Sequence, residues 1–303
     1  MHKKLNKGTK EQRQWHFSRC QSKRTKPRPP SSRQLYFPLE AGQMKDSNRT
    51  AIVTGAAQGI GRRTAELLAE NGYAVALADL HPTTDLAHVL RQNGSAVFSF
   101  QGDISDENTV ANLIAKVQQE WGQIDLLVNN AGISSISPAE ETSAQQFRRV
   151  LDTNLTAPFL LSKAAGAKML ARGKGAIVNV ASIAGLVGIA DRVAYNASKH
   201  GLVGITRTLA AEWGGRGVRV NAVCPGWVKT EMDTADQSSG GYTDDDIIGR
   251  VPMGRFASPT DIAQAILFLA DERMSSFVNG HTLVVDGGWT ADGTWESLRR
   301  RRR

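Results

Sequence analysis

Short apolar segments alternate with longer amphipathic segments along most of the chain. The apolar segments are continuous and rich in β-branched residues, which predicts strands that are buried on both faces. These predicted strands lie near 50–54, 74–78, 96–100, 125–129, 175–181, 218–223 and 282–285. Helices are predicted over 62–71, 107–121, 144–172, 195–214 and 259–269. This alternation predicts a single-domain α/β fold, a doubly wound and mostly parallel seven-stranded sheet with helices on both faces (Rossmann-like).

Composition separates the two ends from the middle of the chain. Residues 1–47 form a basic leader with several prolines, which is predicted to be disordered, and 291–303 form a tail that ends in an arginine run. A transit peptide is an alternative for the leader, and so is an overextended reading frame, because Met44 stands where a domain of this type would begin. The folded domain is predicted over 48–290, and no apolar segment typical of a secretory signal precedes it.

The positive charge of the chain belongs to its ends. The whole sequence carries a formal net charge of +8, and subtracting +9 for residues 1–48 and +5 for the last five arginines leaves −6 for residues 49–298. The composition of the domain therefore predicts neither a nucleic-acid partner nor a membrane partner for it.

Cysteines and histidines indicate no disulfide framework and no metal site. Cys20 lies in the leader and Cys224 in the predicted core, and the six histidines lack the spacing of zinc ligands. The apolar stretch 175–190 contains Asn179 and Ser182, which disfavours a membrane span. A reducing, cytoplasmic setting fits this pattern.

The first predicted strand runs into a glycine-rich turn and then a helix, in the sequence TGAAQGIG at 54–61. Gly55, Gly59 and Gly61 would let the backbone approach a ligand closely, and the start of the following helix would favour a pyrophosphate. The spacing differs from the general G-x-G-x-x-G pattern, so the strand before and the helix after carry the prediction of a dinucleotide site.

The charges around this turn favour NAD over NADP. Asp79 ends the second predicted strand, where a carboxylate would accept hydrogen bonds from the adenosine ribose and repel a 2′-phosphate. Gln58 adds no cation to the turn, although Arg62 could partly offset the charge of Asp79.

A group suited to proton transfer lies in the sequence YNASK at 195–199. Tyr195 and Lys199 are four residues apart, so on a helix they lie on one face, and the ammonium would favour the phenolate form of the tyrosine. Ser182 lies thirteen residues before the tyrosine, at the end of a predicted strand.

The chain resembles the short-chain dehydrogenase/reductase family, in its single-domain form, over roughly residues 48–290. The motifs that carry the resemblance are TGAAQGIG, GDIS, NNAG, DTNL, NVAS, YNASK and PGWVKT, in that order. The resemblance implies catalytic roles for Asn154, Ser182, Tyr195 and Lys199. Tyr195 would be the acid/base, Ser182 would hold the substrate oxygen, and Lys199 would lower the pKa of the tyrosine and bind the nicotinamide ribose. Asn154 would position a water that links Lys199 to solvent.

The resemblance also implies which residues bind the cofactor. The predicted cofactor is NAD, and NADP is the less favoured alternative. They are Gly55, Gln58, Gly59, Ile60, Gly61, Asp79, Asp103, Ile104, Asn130, Ala131, Gly132, Tyr195, Lys199, Pro225, Gly226, Val228 and Thr230.

The predicted activity is transfer of a hydride between NAD(H) and a secondary alcohol or ketone. A polar lid is expected over 231–255, and the pocket is expected to be bordered by Ser134, Ile183, Asp191, Arg192 and Trp227. The polar lid favours a polyol or sugar-like alcohol, and reduction of a 3-oxoacyl thioester of the acyl-carrier-protein type is the alternative. A non-catalytic NAD-sensing module is a remote alternative, which the presence of all four catalytic residues disfavours.

The family resemblance further implies a homotetramer. Trp289 and Trp295 follow the last predicted strand, where tryptophans commonly mark an interface, although they could instead cover the core of their own subunit.

Overall fold

The structure is a computed structural model that describes residues 49–238 and 242–300. At its centre lies a seven-stranded sheet in which all paired strands are parallel, in the order β3-β2-β1-β4-β5-β6-β7. The strands are β1 (Thr50–Thr54), β2 (Ala74–Asp79), β3 (Val97–Gln101), β4 (Leu126–Asn129), β5 (Gly175–Val180), β6 (Val218–Pro225) and β7 (Thr282–Val285). The predicted fold class is confirmed.

Helices connect the strands and cover both faces of the sheet. They are α1 (Gly59–Glu70), α2 (Thr84–Gln92), α3 (Glu107–Trp121), α4 (Ala144–Leu151), α5 (Ala157–Arg172), α6 (Val193–Trp213), α7 (Glu231–Ser238), α8 (Asp244–Arg250), α9 (Pro259–Ala270), α10 (Glu272–Ser275) and α11 (Glu296–Arg300).

Alternate residues of each strand pack into two separate cores, because successive side chains of a strand point to opposite faces of the sheet. Val53 belongs to the core on one face, together with Leu68 of α1 and Ile266 of α9. Its neighbour Ile52 belongs to the core on the other face, together with Leu161 of α5. Both β1 residues are fully buried, which explains why the strand sequences are continuously apolar.

The strand order reverses direction at β1, which pairs with β2 on one side and with β4 on the other. In parallel sheets a crevice opens at such a reversal, at the carboxyl ends of the strands. The glycine turn after β1 and the NNAG segment after β4 both lie at this crevice.

One helical prediction needs correction, and the helix between β2 and β3 was not predicted. The single helix predicted over 144–172 is interrupted by a π-helical turn, Asp152–Thr156, which separates α4 from α5. Helical residues flank this turn on both sides, and a single π-helical turn has no sequence signal of its own, so the sequence predicts one helix. The helix α2 was not predicted because it spans nine residues, too few for a convincing period.

The region predicted as a polar lid over 231–255 contains helices α7 and α8 rather than loop alone. Thr243 begins α8 with a capping box, in which its hydroxyl accepts from the Asp246 N–H and the Asp246 carboxylate accepts from the Thr243 N–H. Asp246 is thus one of the aspartates that made the segment resemble a polar loop, and it helps to start a helix.

Within 49–238 and 242–300, no helix has the length and apolar character needed to cross a membrane. The basic leader and the final three arginines lie outside the described residues.

Candidate active site

A cavity of about 980 Å³ lies along the carboxyl ends of the strands. Nearly all site residues predicted from the sequence line it: Gly55, Gln58, Gly59, Ile60, Asp79, Asp103, Ile104, Asn130, Ala131, Gly132, Ser182, Tyr195, Lys199, Pro225, Gly226, Val228 and Thr230. The two that do not are Gly61 and Asn154, which lie behind its wall.

The glycine turn is packed too closely for side chains. Gly55 has a φ of +66°, and a Cβ at Gly61 would collide with the Gly55 carbonyl oxygen. Helix α1 begins at Gly59 with no side-chain cap from Gln58 and no acidic residue in its first turn. No side chain of the turn or of the first helical turn caps the first N–H groups of α1, and free N–H groups at a helix start favour a phosphate group.

Asn130, which directly follows β4, holds the glycine turn in place through hydrogen bonds. Its Nδ2 donates to the carbonyl oxygens of Thr54 at 2.9 Å and Gly55 at 3.1 Å. The backbone N–H groups of Asn130 and Ala131 both donate to the Thr54 hydroxyl, at 3.0 and 3.1 Å. The NNAG segment thus fixes the shape of the glycine turn as well as lining the cavity.

Asp79 lies at the far side of the glycine turn. Its Oδ2 accepts from the Ala57 N–H at 2.9 Å, and its Oδ1 accepts from the His81 N–H at 2.9 Å. The side chain is 10% exposed. These bonds hold a carboxylate at the carboxyl end of β2, beside the turn. Asp103, farther along the cavity, accepts from Ser105 through the same kind of local turn.

Tyr195 and Lys199 lie on one face of α6, as predicted. Lys199 Nζ lies 5.5 Å from the centre of the Tyr195 ring and donates to the Val180 carbonyl oxygen at 2.9 Å. The lysine is buried, and burial lowers the pKa of its ammonium to about 8. A lysine with this pKa carries its proton only part of the time above neutral pH.

The hydroxyl of Tyr195 is held by its surroundings in the protonated form. Burial raises the pKa of Tyr195, while the hydrogen bond with Ser182 and then the positive charge of Arg192 oppose that rise. Ser182 follows β5 and its Oγ accepts from the Ala184 N–H at 3.1 Å. Arg192 therefore acts on the tyrosine electrostatically, an effect that the sequence analysis did not anticipate.

Asn154 is fully buried in the π-helical turn. Its Oδ1 accepts from the Ile133 N–H at 2.8 Å, and its Nδ2 donates to the Ile133 carbonyl oxygen at 2.9 Å. A side chain at Gly132 would come within 3.2 Å of Asn154 Oδ1 and 3.6 Å of Lys199 Nζ. Asn154 and Lys199 therefore both lie close to Gly132, and the two bonds to Ile133 show that Asn154 fixes the loop after β4.

The segment after β6 closes the other side of the cavity. The Gly226 N–H donates to the Val285 carbonyl oxygen at 3.0 Å, and a Cβ at Gly226 would lie 2.8 Å from Asp286 Cα. Val228 is buried and forms a bridge with Ala257. These contacts hold the segment close to β7, so that Thr230 lies near the glycine turn.

The substrate side of the cavity contains predicted and unpredicted residues. Four of the five predicted border residues line it: Ser134, Ile183, Arg192 and Trp227. Asp191 does not, and instead adopts a φ of +59° in the turn before α6.

The sequence analysis missed the lid residues Asp233, Asp236 and Tyr242, all of which line the cavity. The Tyr242 hydroxyl donates to Asp233 Oδ1 at 3.1 Å, and burial first, then Asp233, raises its pKa well above the usual value. The acidic composition of the lid was the signal that could have identified the two aspartates.

Comparison with known proteins identifies the family of this chain and its relatives. A family model described as enoyl-(acyl carrier protein) reductase matches residues 55–290. The chain is 43% identical over 244 residues to a D-threitol dehydrogenase of Mycolicibacterium smegmatis, covering 80% of this chain and 93% of that protein. It is 42% identical over 247 residues to a cis-4-hydroxycyclohexanecarboxylate dehydrogenase of Sinomonas cyclohexanicum, covering 81% and 98%.

A solved structure matches over a similar range. It is that of a proposed NAD(P)-dependent gluconate 5-dehydrogenase of Beutenbergia cavernae, with NADP bound at low occupancy. The TM-score is 0.77 and the identity 40%, covering 83% of this chain and all of that one.

The protein is an oxidoreductase that interconverts alcohols and ketones. This follows from its similarity to alcohol and polyol dehydrogenases, and the doubly wound sheet with a cavity at its carboxyl edge agrees with it. The chain belongs to the short-chain dehydrogenase/reductase family, whose members use NAD(P). The family predicted from the sequence is therefore confirmed.

Proposed function

We propose that this protein oxidises a secondary hydroxyl group of a polyol or sugar-like substrate and transfers the hydride to NAD. The observation that carries this proposal is the polar substrate side of the cavity, where Ser134, Arg192, Asp233, Asp236 and Tyr242 lie together. A substrate rich in hydroxyl groups can hydrogen-bond to such a wall. The methylene groups of a 3-oxoacyl chain would displace water from this polar surface and offer it no hydrogen bonds in return, which is unfavourable.

The proposed chemistry assigns one role to each catalytic side chain. Tyr195 accepts the proton of the reacting hydroxyl during oxidation, and Ser182 hydrogen-bonds the substrate oxygen. Lys199 places positive charge below the tyrosine and binds the nicotinamide ribose, and Asn154 continues the proton path behind it. When bound, the nicotinamide supplies the hydride acceptor.

The glycine turn supports binding of a dinucleotide at this site. The Gly55–Gly61 contact leaves no room for side chains, and the start of α1 offers N–H groups without an acidic side chain in its first turn. Both features suit the close approach of a pyrophosphate. Gly55, Gly59 and Ile60 would hold that group, while Asp103 and Ile104 would border the adenine.

NAD is the proposed cofactor, with NADP as the alternative. The Asp79 carboxylate is held in place by the N–H groups of Ala57 and His81, so it cannot turn away readily from a phosphate placed beside it. Its negative charge would repel the 2′-phosphate of NADP. The NADP bound in the Beutenbergia structure favours the alternative, so the preference must be measured on this chain.

Assembly as a homotetramer is part of the proposal, with the C-terminal segment against a neighbouring subunit. Trp295 supports it, because its side chain is 81% exposed. Trp289 does not, because it is partly buried and Arg250 of the same chain lies 4.7 Å above its ring.

A substrate panel tests the proposed activity. Purified protein is incubated with NAD or NADP and with polyols, sugars, simple secondary alcohols and 3-hydroxyacyl thioesters, and formation of the reduced cofactor is followed by absorbance. The highest kcat/KM is expected for a polyol with NAD. A hydroxyacyl thioester that is oxidised faster than every polyol would overturn the proposal in favour of its alternative.

A further inference from the structure

Three polar side chains from separate elements form a closed set of hydrogen bonds at the substrate side of the cavity. Arg192 Nη1 donates to Ser134 Oγ at 2.9 Å and to Asp236 Oδ2 at 3.0 Å. Ser134 Oγ donates to the same Asp236 oxygen at 2.9 Å. These three residues are called the Arg192 triangle below.

The Arg192 triangle is nearly buried and carries no net charge. The side chains of Arg192 and Asp236 are 8% and 16% exposed, and the guanidinium lies 5.6 Å from the centre of the Trp227 ring. An arginine stays charged even when it is buried, so it needs an opposite charge nearby. Asp236 supplies that charge, and therefore the arginine is already neutralised before any substrate binds.

The position of the Arg192 triangle relates it to the reacting hydroxyl group. Arg192 precedes α6 and is three residues before Tyr195, Ser134 follows β4, and Asp236 lies on α7. All three line the same cavity as Tyr195. The charge of Arg192 lowers the pKa of Tyr195 and that of Asp236 raises it, so both groups lie within electrostatic reach of the tyrosine.

Resting on the proposed function, we infer that the Arg192 triangle binds a hydroxyl group of the substrate on the carbon next to the reacting carbon, and that it selects against a carboxylate at that position. The substrate class is thereby narrowed to uncharged vicinal diols, which include polyols and sugars.

Hydrogen-bonding capacity explains the preference. A hydroxyl group can donate to the Asp236 carboxylate and accept from the Arg192 guanidinium, so it can join the triangle without breaking the ion pair. A carboxylate can only accept. It would have to face the negative charge of Asp236 or displace it from the arginine, and either change is unfavourable in a poorly solvated site.

A second carboxylate adds to this selection. Asp233, only 6% exposed, lies one helical turn from Asp236 on α7 and accepts from the Tyr242 hydroxyl. The cation near it, Lys229, lies 3.4 Å from its Oδ2 but only 2.6 Å from Asp244 Oδ1, so two carboxylates share one positive charge. The lid side of the cavity is therefore unfavourable for an anionic substrate.

Three matched substrates test the inference: butane-1,2-diol, butan-2-ol and 2-hydroxybutanoate. Each reacts at its second carbon, which carries an ethyl group in all three and, as its other substituent, a hydroxymethyl, a methyl or a carboxylate group. We expect kcat/KM with NAD to be at least tenfold higher for the diol than for butan-2-ol, and lowest for the acid.

The Asp236→Asn variant removes the negative charge and keeps the size of the side chain. It should raise the kcat/KM of the acid relative to the diol at least tenfold, because the arginine becomes available to the carboxylate. The matched control is Asp245→Asn, which removes the same charge from an exposed position of the lid outside the cavity and should leave the ratio unchanged.

A second variant decides the question if Asp236→Asn fails to fold, which thermal melting would reveal. Ser134→Ala keeps the ion pair and removes one hydroxyl, so the ratio of kcat/KM for the diol to that for butan-2-ol should fall several-fold. An equal fall for both alcohols overturns the inference.

Two further outcomes separate this inference from the proposed function. Wild-type protein that oxidises the diol no faster than butan-2-ol, or that prefers the acid, overturns the inference, while a polyol as the best substrate of the panel still upholds the proposed function. A selectivity ratio unchanged by Asp236→Asn in a folded protein likewise overturns the inference alone.

Discussion

Replacing Lys199 with methionine should stabilise the cofactor-free protein at neutral pH while abolishing its activity. Lys199 is 4% exposed, and burial lowers the pKa of its ammonium from the ordinary 10.5 to about 8. The folded state therefore carries a charge that the unfolded state would hold at lower cost in water. Methionine has a similar length and flexibility and carries no charge.

The size of the effect follows from the pKa and from the contacts of the lysine. Each pKa unit corresponds to about 1.36 kcal/mol, so the buried charge destabilises the folded state by roughly 3 kcal/mol. Methionine loses the hydrogen bond from Nζ to Val180, about 1 kcal/mol. It also loses the contact with the Tyr195 ring, about 0.5 to 1 kcal/mol. The expected net gain in the free energy of unfolding is about 1 to 2 kcal/mol.

The gain should depend on pH in a defined direction. Because the pKa of Lys199 is lower in the folded state than in the unfolded state, the cost is fully present below about pH 8. It disappears as the pH rises towards 10.5, where both states lose the proton. Above that pH the variant should be the less stable protein, because the neutral amine still donates to the Val180 carbonyl oxygen and the methionine does not.

Urea unfolding of the two proteins, at one protein concentration and several pH values, measures the difference. Lys168→Met is the matched control, since Lys168 is an exposed lysine on α5 and its replacement should change stability little at any pH. A Lys199→Met protein that is less stable than wild type at neutral pH would refute the reasoning. So would a stability difference that stays constant from about pH 7 to about pH 10.

Three further predictions concern the proton donor, the cofactor and the assembly. Tyr195→Phe should lower kcat by about 10²- to 10⁴-fold and leave NAD binding nearly intact by fluorescence titration, because only the proton-transfer oxygen is removed. Retention of more than a tenth of the activity would contradict this assignment. Asp79→Ala should raise the ratio of kcat/KM with NADP to that with NAD about tenfold, since a carboxylate facing the 2′-phosphate is removed. An unchanged ratio would mean that Asp79 does not lie at the ribose. Truncation after Thr294 removes the exposed Trp295 and should give a smaller species in sedimentation velocity. A truncated protein that still sediments as a tetramer would rule out this role.

Much of the fold and of the candidate site could be predicted from local patterns. Continuous β-branched segments and helical periodicity predicted all seven strands, because burial on both faces requires apolar side chains at every position. The motif residues from Gly55 to Thr230 could then be grouped in one place, because parallel strands bring their carboxyl ends to one edge of the sheet. The i, i+4 spacing was enough to place Tyr195 beside Lys199 on α6.

Side-chain partners could not be predicted in the same way. Lys199 donates to the Val180 carbonyl oxygen, and no local pattern relates a helix residue to that strand end. The π-helical turn that buries Asn154 is flanked on both sides by helical residues and has no sequence signal of its own, so the sequence predicted one helix where there are two. In the lid, aspartates that resemble a polar loop in sequence cap and form helices.

The sequence by itself determined the seven strands, the edge of the sheet at which the motif residues meet, and the placement of Tyr195 beside Lys199. Only the tertiary structure decided which side chains meet at the substrate side of the cavity. Arg192 lies 58 residues from Ser134 and 44 from Asp236, yet they share one set of hydrogen bonds. Local periodicity reflects backbone geometry and burial, whereas the meeting of these side chains depends on how the loop after β4, the start of α6 and helix α7 pack together.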